Sequence, residues 1–310
     1  MNGRDRPHAA ATKAHTGRAH AALLTMVLIW GINFPIAKAA LAELDPLAFN
    51  ALRFPLAALV VLLALQRRGG FTWPARGMRL RVLGLGVLGN VLYQQFFIFG
   101  LALTRAGTAS VLLAGTPIIT ALLSAAVGHE RVGIRTWIGV VATFGGIALV
   151  VFSGAPAEAG GSSLLGDLLM IGASFSWAIY TVGSRNLIER YGSVQFTAWT
   201  LWTGAIGLCL IGLPSVLRTD LAAVSPSAWI GVAYAGALSI GVAYLIWYYG
   251  VRLIGNTRTA AYSNLVPVVA LIAAWLHLGE VPTAGQIAGA GVILAGITLA
   301  QVRTARVPRS

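Results

Sequence analysis

Two cations, Lys38 and Arg53, interrupt long apolar stretches of this sequence. A charged side chain inside a membrane costs about 2.5–3.5 kcal/mol on insertion scales, so such a group is by default a functional candidate. Lys38 lies near the end of its stretch, where reaching towards the interface explains it as well as contact with a substrate or gate does. Arg53 lies deeper and must find a partner, and we expect backbone carbonyls or Glu43 and Asp45, with direct substrate contact as the alternative.

Uncharged polar side chains also occur deep in the apolar stretches. They are Asn33, Asn90, Gln94, Gln95, Thr116, Ser263 and Asn264. Buried amides need hydrogen-bond partners, which either a neighbouring helix or a water-filled cavity supplies. Asn90 and Gln94 are four residues apart, as are Tyr93 and Phe97, so one stripe of a helix can face a ligand while Gln95 points elsewhere.

Trp and Tyr normally gather at membrane interfaces, but several here are nearer the middle of apolar stretches. These aromatic residues are Trp177, Tyr180, Trp199, Trp202, Tyr244, Trp247 and Tyr248. Packing alone would explain any single one. Together, an aromatic lining with a few amides suits a solute that has an apolar side chain and a zwitterionic or polar head.

The candidate binding residues combine these classes. They are Trp30, Asn33, Lys38, Asn90, Tyr93, Gln94, Trp177, Tyr180, Tyr244, Tyr248 and Asn264. Pro35, Pro55, Pro117 and Pro267 each remove a backbone hydrogen bond and permit a kink. We predict Pro117 and Pro267 as a pair of hinges, with static kinks as the alternative.

Composition identifies the elements that must position these side chains. Of the 310 residues, 57% are hydrophobic and 10% charged, against roughly 45–50% and about 25% in soluble domains. The apolar residues form runs of about 18–22 residues, the length that a helix needs to cross hydrocarbon. The sequence therefore predicts an all-α polytopic membrane protein. Ten spans are predicted, at residues 21–40, 47–65, 82–101, 107–127, 134–152, 165–184, 194–213, 228–250, 259–277 and 284–302.

The basic residues predict the orientation of these spans. Of the 22 Lys and Arg residues, 18 fall on one side and only Arg105 and Arg218 on the other, with Lys38 and Arg53 inside spans. Lys and Arg accumulate in short cytoplasmic loops, so both termini are predicted to be cytoplasmic. Residues 1–20 are interpreted as a disordered cytoplasmic tail, with an organellar transit peptide as the alternative.

The net charge of +13 does not indicate a nucleic-acid partner, because the basic residues are scattered between spans. The single Cys209 excludes an intramolecular disulfide framework and disfavours a metal cluster. No cofactor is expected. The expected partners are the lipid bilayer and a small-molecule substrate, and the expected state is a monomer.

The chain repeats itself. An offset of 150 residues places Pro117 on Pro267 and Glu130 on Glu280, and an offset of 147 places Trp30 on Trp177. The predicted units are a tail at 1–20, a first half at 21–152, a linker at 153–163, a second half at 164–302 and a tail at 303–310. Because each half has an odd number of spans, the second half must be inverted, and the natural binding site is where the halves meet.

Several of these segments resemble the EamA-type drug/metabolite transporter superfamily. They are the stretch from Trp30 to Lys38, Leu52-Arg53-Phe54 in the second span, and the two matched Pro-to-Glu segments. The resemblance extends over residues 21–302 and is greatest to the YddG-type exporters of aromatic and other amino acids. It implies a basket in which spans 1–4 and 6–9 surround a central cavity, while spans 5 and 10 pack outside.

We therefore expect a carrier in a bacterial inner membrane that exports aromatic or other hydrophobic amino acids by alternating access. No Asp or Glu is predicted deep in a span, which disfavours a proton antiporter with a central carboxylate. An enzyme is not expected, since no cluster of His, Asp or Cys is predicted at depth. Another metabolite or drug-like solute, or a channel or scaffold, remains the alternative.

Overall fold

A computed structural model describes residues 5–67, 70–127, 133–153, 163–254, 259 and 262–301. These residues are almost entirely helical. We number the helices α1 (Asp5–Ala40), α2 (Pro46–Gln66), α3 (Arg79–Gly86, continued by Val87–Leu92 and Tyr93–Leu103), α4 (Ala106–Leu113 and Thr116–Ala126), α5 (Ile134–Phe152), α6 (Leu164–Tyr191), α7 (Ser193–Arg218), α8 (Pro226–Ala233, continued by Tyr234–Val242 and Ala243–Ile254), α9 (Val266–Leu278) and α10 (Ala284–Gln301).

Eight of these helices, α1 to α8, are long and apolar enough to cross a membrane. The apolar helices α9 and α10 are shorter within the described residues, so the predicted set of ten crossings in two inverted halves stays a prediction. The helix α1 begins at Asp5, whereas residues 1–20 were expected to be a disordered tail. The Ala-rich segment from Ala9 to Ala19 accounts for the difference, because Ala has the highest intrinsic helix propensity. Residues 154–162 of the expected linker and residues 303–310 lie outside the described residues.

Side-chain caps define several helix starts. Asp45 accepts hydrogen bonds from the backbone N–H groups of Leu47 at 2.9 Å and Ala48 at 3.4 Å, and Pro46 occupies the first turn of α2. Ser225 caps α8 in the same manner. At the opposite end of the bundle, Gly192 separates α6 from α7 with a φ of +80°, which glycine adopts without steric cost.

Helices α5 and α10 pack closely through glycine. A Cβ added at Gly146 would lie 2.8 Å from the carbonyl oxygen of Gly289, and one added at Gly296 would lie 2.7 Å from that of Gly139. Small residues permit this approach of two helix backbones in a membrane. These glycines therefore allow α5 and α10 to pack closely.

Two π-helical segments interrupt α3 and α8 at matched positions. The offset of 147 places Val87, the first residue of one segment, on Tyr234, the first residue of the other. After the segments, Tyr93 matches Ala243 with an offset of 150. The segments contain 6 and 9 residues, so the three residues by which the halves differ are accommodated there. Insertions into a helix are commonly absorbed as π turns, which are frequent at functional sites.

The π segments pack against helices of the opposite half. A Cβ on Gly89 of α3 would lie 2.3 Å from the ring of Tyr180 in α6, and one on Gly236 of α8 would lie 2.3 Å from the carbonyl oxygen of Arg53 in α2. Each π segment therefore brings its helix into direct contact with the other half.

The connections at one end of the bundle are joined by hydrogen bonds. Glu43, between α1 and α2, accepts from the backbone N–H of Ser225 at 2.8 Å and from its hydroxyl at 2.6 Å. Glu280, between α9 and α10, accepts from the N–H groups of Ala106 at 3.0 Å and Gly107 at 3.1 Å. These bonds join the two halves at the end that carries few basic residues.

Candidate solute-binding site

Arg53 lies in the interior of the bundle and is only 1% exposed. Its Nε and Nη2 donate to Oδ1 of Asn50 at 3.0 and 2.8 Å, and Nη2 also donates to Oε1 of Gln94 at 2.6 Å. The predicted partners, backbone carbonyls or Glu43 and Asp45, are therefore wrong. The two carboxylates instead bond Ser225 and Ser215 at the end of the bundle, while Asn50 lies one turn before Arg53 on the same face of α2.

Aromatic rings cover the Arg53 guanidinium. Its Cζ lies 4.9 Å from the ring centroid of Phe49 and 5.7 Å from those of Phe54 and Phe97. The negative face of an aromatic ring attracts a cation, and this attraction is greater where water is excluded. The rings and amides together explain how the structure tolerates a buried cation.

Asn50, which the sequence analysis missed, joins α2 to α3. Its Nδ2 donates to the carbonyl oxygen of Gln94 at 3.3 Å and to Oε1 of Gln95 at 3.1 Å. Gln95 does not lie on the stripe of Gln94, as predicted, yet it belongs to the same polar cluster through Asn50. The i, i+3 spacing of Asn50 and Arg53 was the signal that could have identified Asn50.

Four of the candidate binding residues form an aromatic cluster, which we define as Trp30, Tyr93, Trp177 and Tyr244. Trp177 lies 4.9 Å from Tyr93 and 6.2 Å from Tyr244, and Tyr244 lies 6.3 Å from Trp30, between ring centroids. The four rings come from α1, α3, α6 and α8. The structure thus brings together candidates from both predicted halves.

The aromatic cluster extends at both sides. Tyr180 lies 5.2 Å from Trp177, and its hydroxyl is 3.0 Å from that of Thr200. Trp30 donates from Nε1 to the carbonyl oxygen of Ser239, at 2.9 Å, inside the π segment of α8. The π segment therefore orients one of the cluster residues.

Arg53 adjoins the aromatic cluster. Phe97, which lies against Arg53, is 6.1 Å from Tyr93 in a stacked arrangement. A polar edge formed by Arg53, Asn50 and Gln94 thus borders an apolar aromatic surface.

Two other candidates, Lys38 and Asn90, contact other parts of the bundle. Lys38 donates to the carbonyl oxygens of Leu101 at 2.9 Å and Ala102 at 2.8 Å, so it caps the end of α3. Asn90 packs against α7, where a Cβ on Gly204 would lie 2.4 Å from the Asn90 Cβ. Asn33 is buried, and its Oδ1 has no hydrogen-bond partner among the described residues.

Asn264 is half-buried in the turn before α9. The side chain of Tyr248 lies outside the described residues.

The predicted hinges lie at interruptions of two helices. Turns at Ala114–Gly115 and at the matched positions Asn264–Leu265 precede helical segments in which Pro117 and Pro267 are the second residues. By contrast, Pro35 and Pro55 lie inside the continuous helices α1 and α2. The two interruptions are sites where a helix can bend, while movement about them stays a prediction.

One buried acidic group lies towards the end of the bundle that carries Glu43 and Glu280. Asp167, in the first turn of α6, is 2% exposed and accepts from the hydroxyl of Thr104 at 2.5 Å. Within the described residues there is no group of three or more His, Cys, Asp or Glu that could hold a metal ion. The arrangement of the site suits noncovalent binding of a small amphipathic solute.

Known proteins resemble this chain over most of its length. The sequence profile of the EamA-like transporter family matches residues 17–152 and again residues 164–301. An uncharacterized transporter of Archaeoglobus fulgidus is 29% identical, over 91% of this chain and 96% of its own.

Two further relatives have more specific names. A probable terminal-alkyne amino-acid exporter of Streptantibioticus cattleyicolor is 26% identical over 91% of this chain and 93% of its own. A probable amino-acid metabolite efflux pump of Salmonella typhimurium is 27% identical over 88% and 91%. One crystal structure, 22% identical, superposes with a TM-score of 0.66 over 94% of this chain and 99% of that one, which shows a shared fold.

Proposed function

Because the chain belongs to the EamA-like transporter family, we propose that it exports amino acids, aromatic or otherwise hydrophobic, across a bacterial inner membrane. The chain is a multi-pass membrane transporter. Its solute and the direction of transport are what we propose. The observation that carries it is the aromatic cluster, in which Trp30, Tyr93, Trp177 and Tyr244 meet from four helices.

The chemistry of the site favours a solute with a flat or apolar side chain. Aromatic rings attract one another in edge-to-face or offset arrangements, beyond the gain from burying apolar area. The adjoining Asn50 and Gln94 supply polar groups for a head group. Two relatives bear names that refer to amino-acid export or efflux, and their similarity to this chain supports the same class of solute.

Alternating access is supported by hydrogen bonds that join the two halves at each end of the bundle, such as that from Trp199 to the carbonyl oxygen of Thr72 at the end opposite Glu43, and by two matched helix interruptions. At one end, Glu43 and Glu280 bind the connections together across the two halves. The helix interruptions before Pro117 and Pro267 supply two matched places for bending. Opening of one end, with closure of the other, would expose the site to each side of the membrane in turn.

We propose that transport does not use a central carboxylate relay. Asp167 is the one buried carboxylate among the described residues, and it lies in the first turn of α6 rather than at the aromatic cluster. Proton-coupled carriers usually titrate a group at depth. The proposed mode is therefore facilitated diffusion, or coupling that does not involve such a group.

Reconstitution into proteoliposomes tests the proposal. Uptake of labelled amino acids, sugars and nucleotides is compared, with and without an imposed proton gradient. We expect uptake of phenylalanine and other hydrophobic amino acids, and no accumulation driven by the gradient. Uptake of sugars or nucleotides alone would contradict the solute class, and a strict requirement for the gradient would contradict the mode.

A further inference from the structure

Arg53 carries a positive charge that no acidic group neutralises in the described part of the chain. The ion pairs within 4.0 Å among the described residues are Arg105–Glu280 and Arg185–Glu189. At 1% exposure, Arg53 is instead surrounded by two amide side chains and three aromatic rings. A buried charge is normally paired, because leaving water is costly for an isolated ion.

The guanidinium retains donors that the protein does not use. Of its five N–H groups, those on Nε and Nη2 make the hydrogen bonds to Asn50 and Gln94. Nη1 makes no hydrogen bond to the described residues. It is also not fully enclosed by them. Two donors on the most strongly charged group of the site therefore remain for a ligand.

The position of Arg53 is fixed before any ligand binds. The oxygens of Asn50 and Gln94 hold one edge of its planar group, and its own carbonyl oxygen lies against Gly236 in the π segment of α8. A guanidinium held in this manner loses little conformational entropy when it binds an anion. The guanidinium lies 5.7 Å from the ring of Phe97, which stacks on Tyr93 of the aromatic cluster.

We propose that Arg53 binds the carboxylate of the transported solute, while the apolar side chain of the solute lies on the aromatic cluster. Guanidinium and carboxylate groups form charge-assisted hydrogen bonds, often two in parallel. Binding of the anion supplies the counter-charge that the described residues do not provide. This inference rests on the proposed function and adds the group that distinguishes an amino acid from an amine of the same shape.

A purely structural role for Arg53, the joining of α2 to α3, would give a different result when solutes are compared. Phenylalanine and phenethylamine share the ring and the amino group and differ in the carboxylate, whereas 3-phenylpropionate keeps the carboxylate and lacks the amino group. Loss of a structural contact would weaken the binding of all three solutes. Loss of an anion site would weaken only the binding of phenylalanine and 3-phenylpropionate, which carry a carboxylate.

The variants Arg53→Gln and Gln94→Glu test this difference. Arg53→Gln removes the charge, and Gln94→Glu keeps Arg53 but places a competing carboxylate where Oε1 now lies 2.6 Å from Nη2. Arg53→Lys retains the charge without the planar group. The matched control Gln95→Glu adds the same charge at the neighbouring residue, which bonds Asn50 and not Arg53.

Binding is measured by quenching of intrinsic Trp fluorescence in the purified protein, and transport by uptake into proteoliposomes. In Arg53→Gln and Gln94→Glu we expect carboxylate affinity to fall roughly tenfold to hundredfold, with phenethylamine little changed. Arg53→Lys should have a carboxylate affinity between those of the unaltered protein and Arg53→Gln. Gln95→Glu should have the smaller effect.

An unchanged ratio of phenylalanine to phenethylamine affinity in Gln94→Glu would overturn the inference, and this variant retains the contact between α2 and α3 if Arg53→Gln fails to fold. Binding of 3-phenylpropionate without any amino-acid transport would sustain the anion site and overturn the proposed function. Absence of binding by either carboxylate to the unaltered protein would overturn the inference itself.

Discussion

The ring of Trp177 in α6 lies 4.9 Å from the ring of Tyr93 in α3, and the planes are tilted by 47°. These residues are far apart in the sequence and belong to the two ranges that the family profile matches separately. Their contact connects the two halves through side chains that can also contact a solute. A change at this contact therefore reports on binding and on the junction of the halves together.

Replacement of Trp177 by Ala is expected to raise the half-saturating concentration for phenylalanine roughly two- to tenfold, because a ring contact is lost. The measurement is the initial rate of uptake against phenylalanine concentration in proteoliposomes. Trp275→Ala on α9 is the matched control, since this indole is 53% exposed and lies outside the aromatic cluster. Equal effects of the two replacements would argue against a binding role for Trp177.

The double variant Pro117→Ala, Pro267→Ala is expected to slow transport severalfold while leaving solute affinity nearly unchanged. Restored backbone N–H groups can close the helix interruptions, and stiffer helices bend less readily. Uptake rates and fluorescence-based binding are compared. Pro35→Ala is the control, because Pro35 lies inside the continuous helix α1. Unchanged rates in the double variant would favour static kinks.

Glu280→Gln is expected to lower stability by about 1–2 kcal/mol, since the charged acceptor at the start of α4 is lost. The midpoint of thermal unfolding in detergent measures the change. Glu189→Gln is the matched control, because Glu189 forms an exposed pair with Arg185 and should have a much smaller effect. A larger loss in the control would refute the importance of the Glu280 contacts.

The Glu43 contact predicts a dependence of stability on pH. Hydrogen bonds from the hydroxyl and N–H of Ser225 lower the pKa of Glu43 below its ordinary value of 4.5. The resulting stabilisation is fully present above that value and is lost as the pH falls through the lowered pKa. Unfolding midpoints of the unaltered protein and Glu43→Gln should differ at pH 7 and converge in acid. A difference that persists in strong acid would contradict this cause.

The charge distribution predicts which side of the membrane each connection faces. Single cysteines are introduced in a Cys209→Ser background. Ala222→Cys places one in the connection between α7 and α8, and Gln66→Cys places one at the end of α2, on the opposite side of the bundle. A membrane-impermeant maleimide added to intact bacteria should label the first cysteine and not the second. The reverse result would show the opposite orientation in the membrane. Labelling of both cysteines would refute the predicted alternation of spans.

The sequence predicted the apolar helices and much of the aromatic cluster, because both depend on local composition and on the repeat. It did not predict the partners of Arg53, since which face of α2 meets Gln94 depends on how two helices pack. Likewise, the change of offset from 147 to 150 indicated three inserted residues. It did not indicate that α3 and α8 would absorb them as π-helix rather than as a loop.

Lys38 has hydrogen-bond acceptors that neither interpretation of its position had named. Its place near the end of a span fitted either reaching towards the interface or contact with a solute. In the structure the ammonium group donates to the carbonyl oxygens of Leu101 and Ala102 at the end of α3. The sequence could not identify these acceptors, because they are backbone groups of a different helix.

The most direct test of the central claim, a carrier for hydrophobic amino acids, is counterflow. Proteoliposomes loaded with unlabelled phenylalanine are diluted into a trace of labelled phenylalanine, without any ion gradient. The account predicts a transient accumulation of label above its equilibrium level, because a carrier exchanges one solute for another. A monotonic approach to equilibrium would indicate an open pore, and the absence of uptake would contradict the proposed solute.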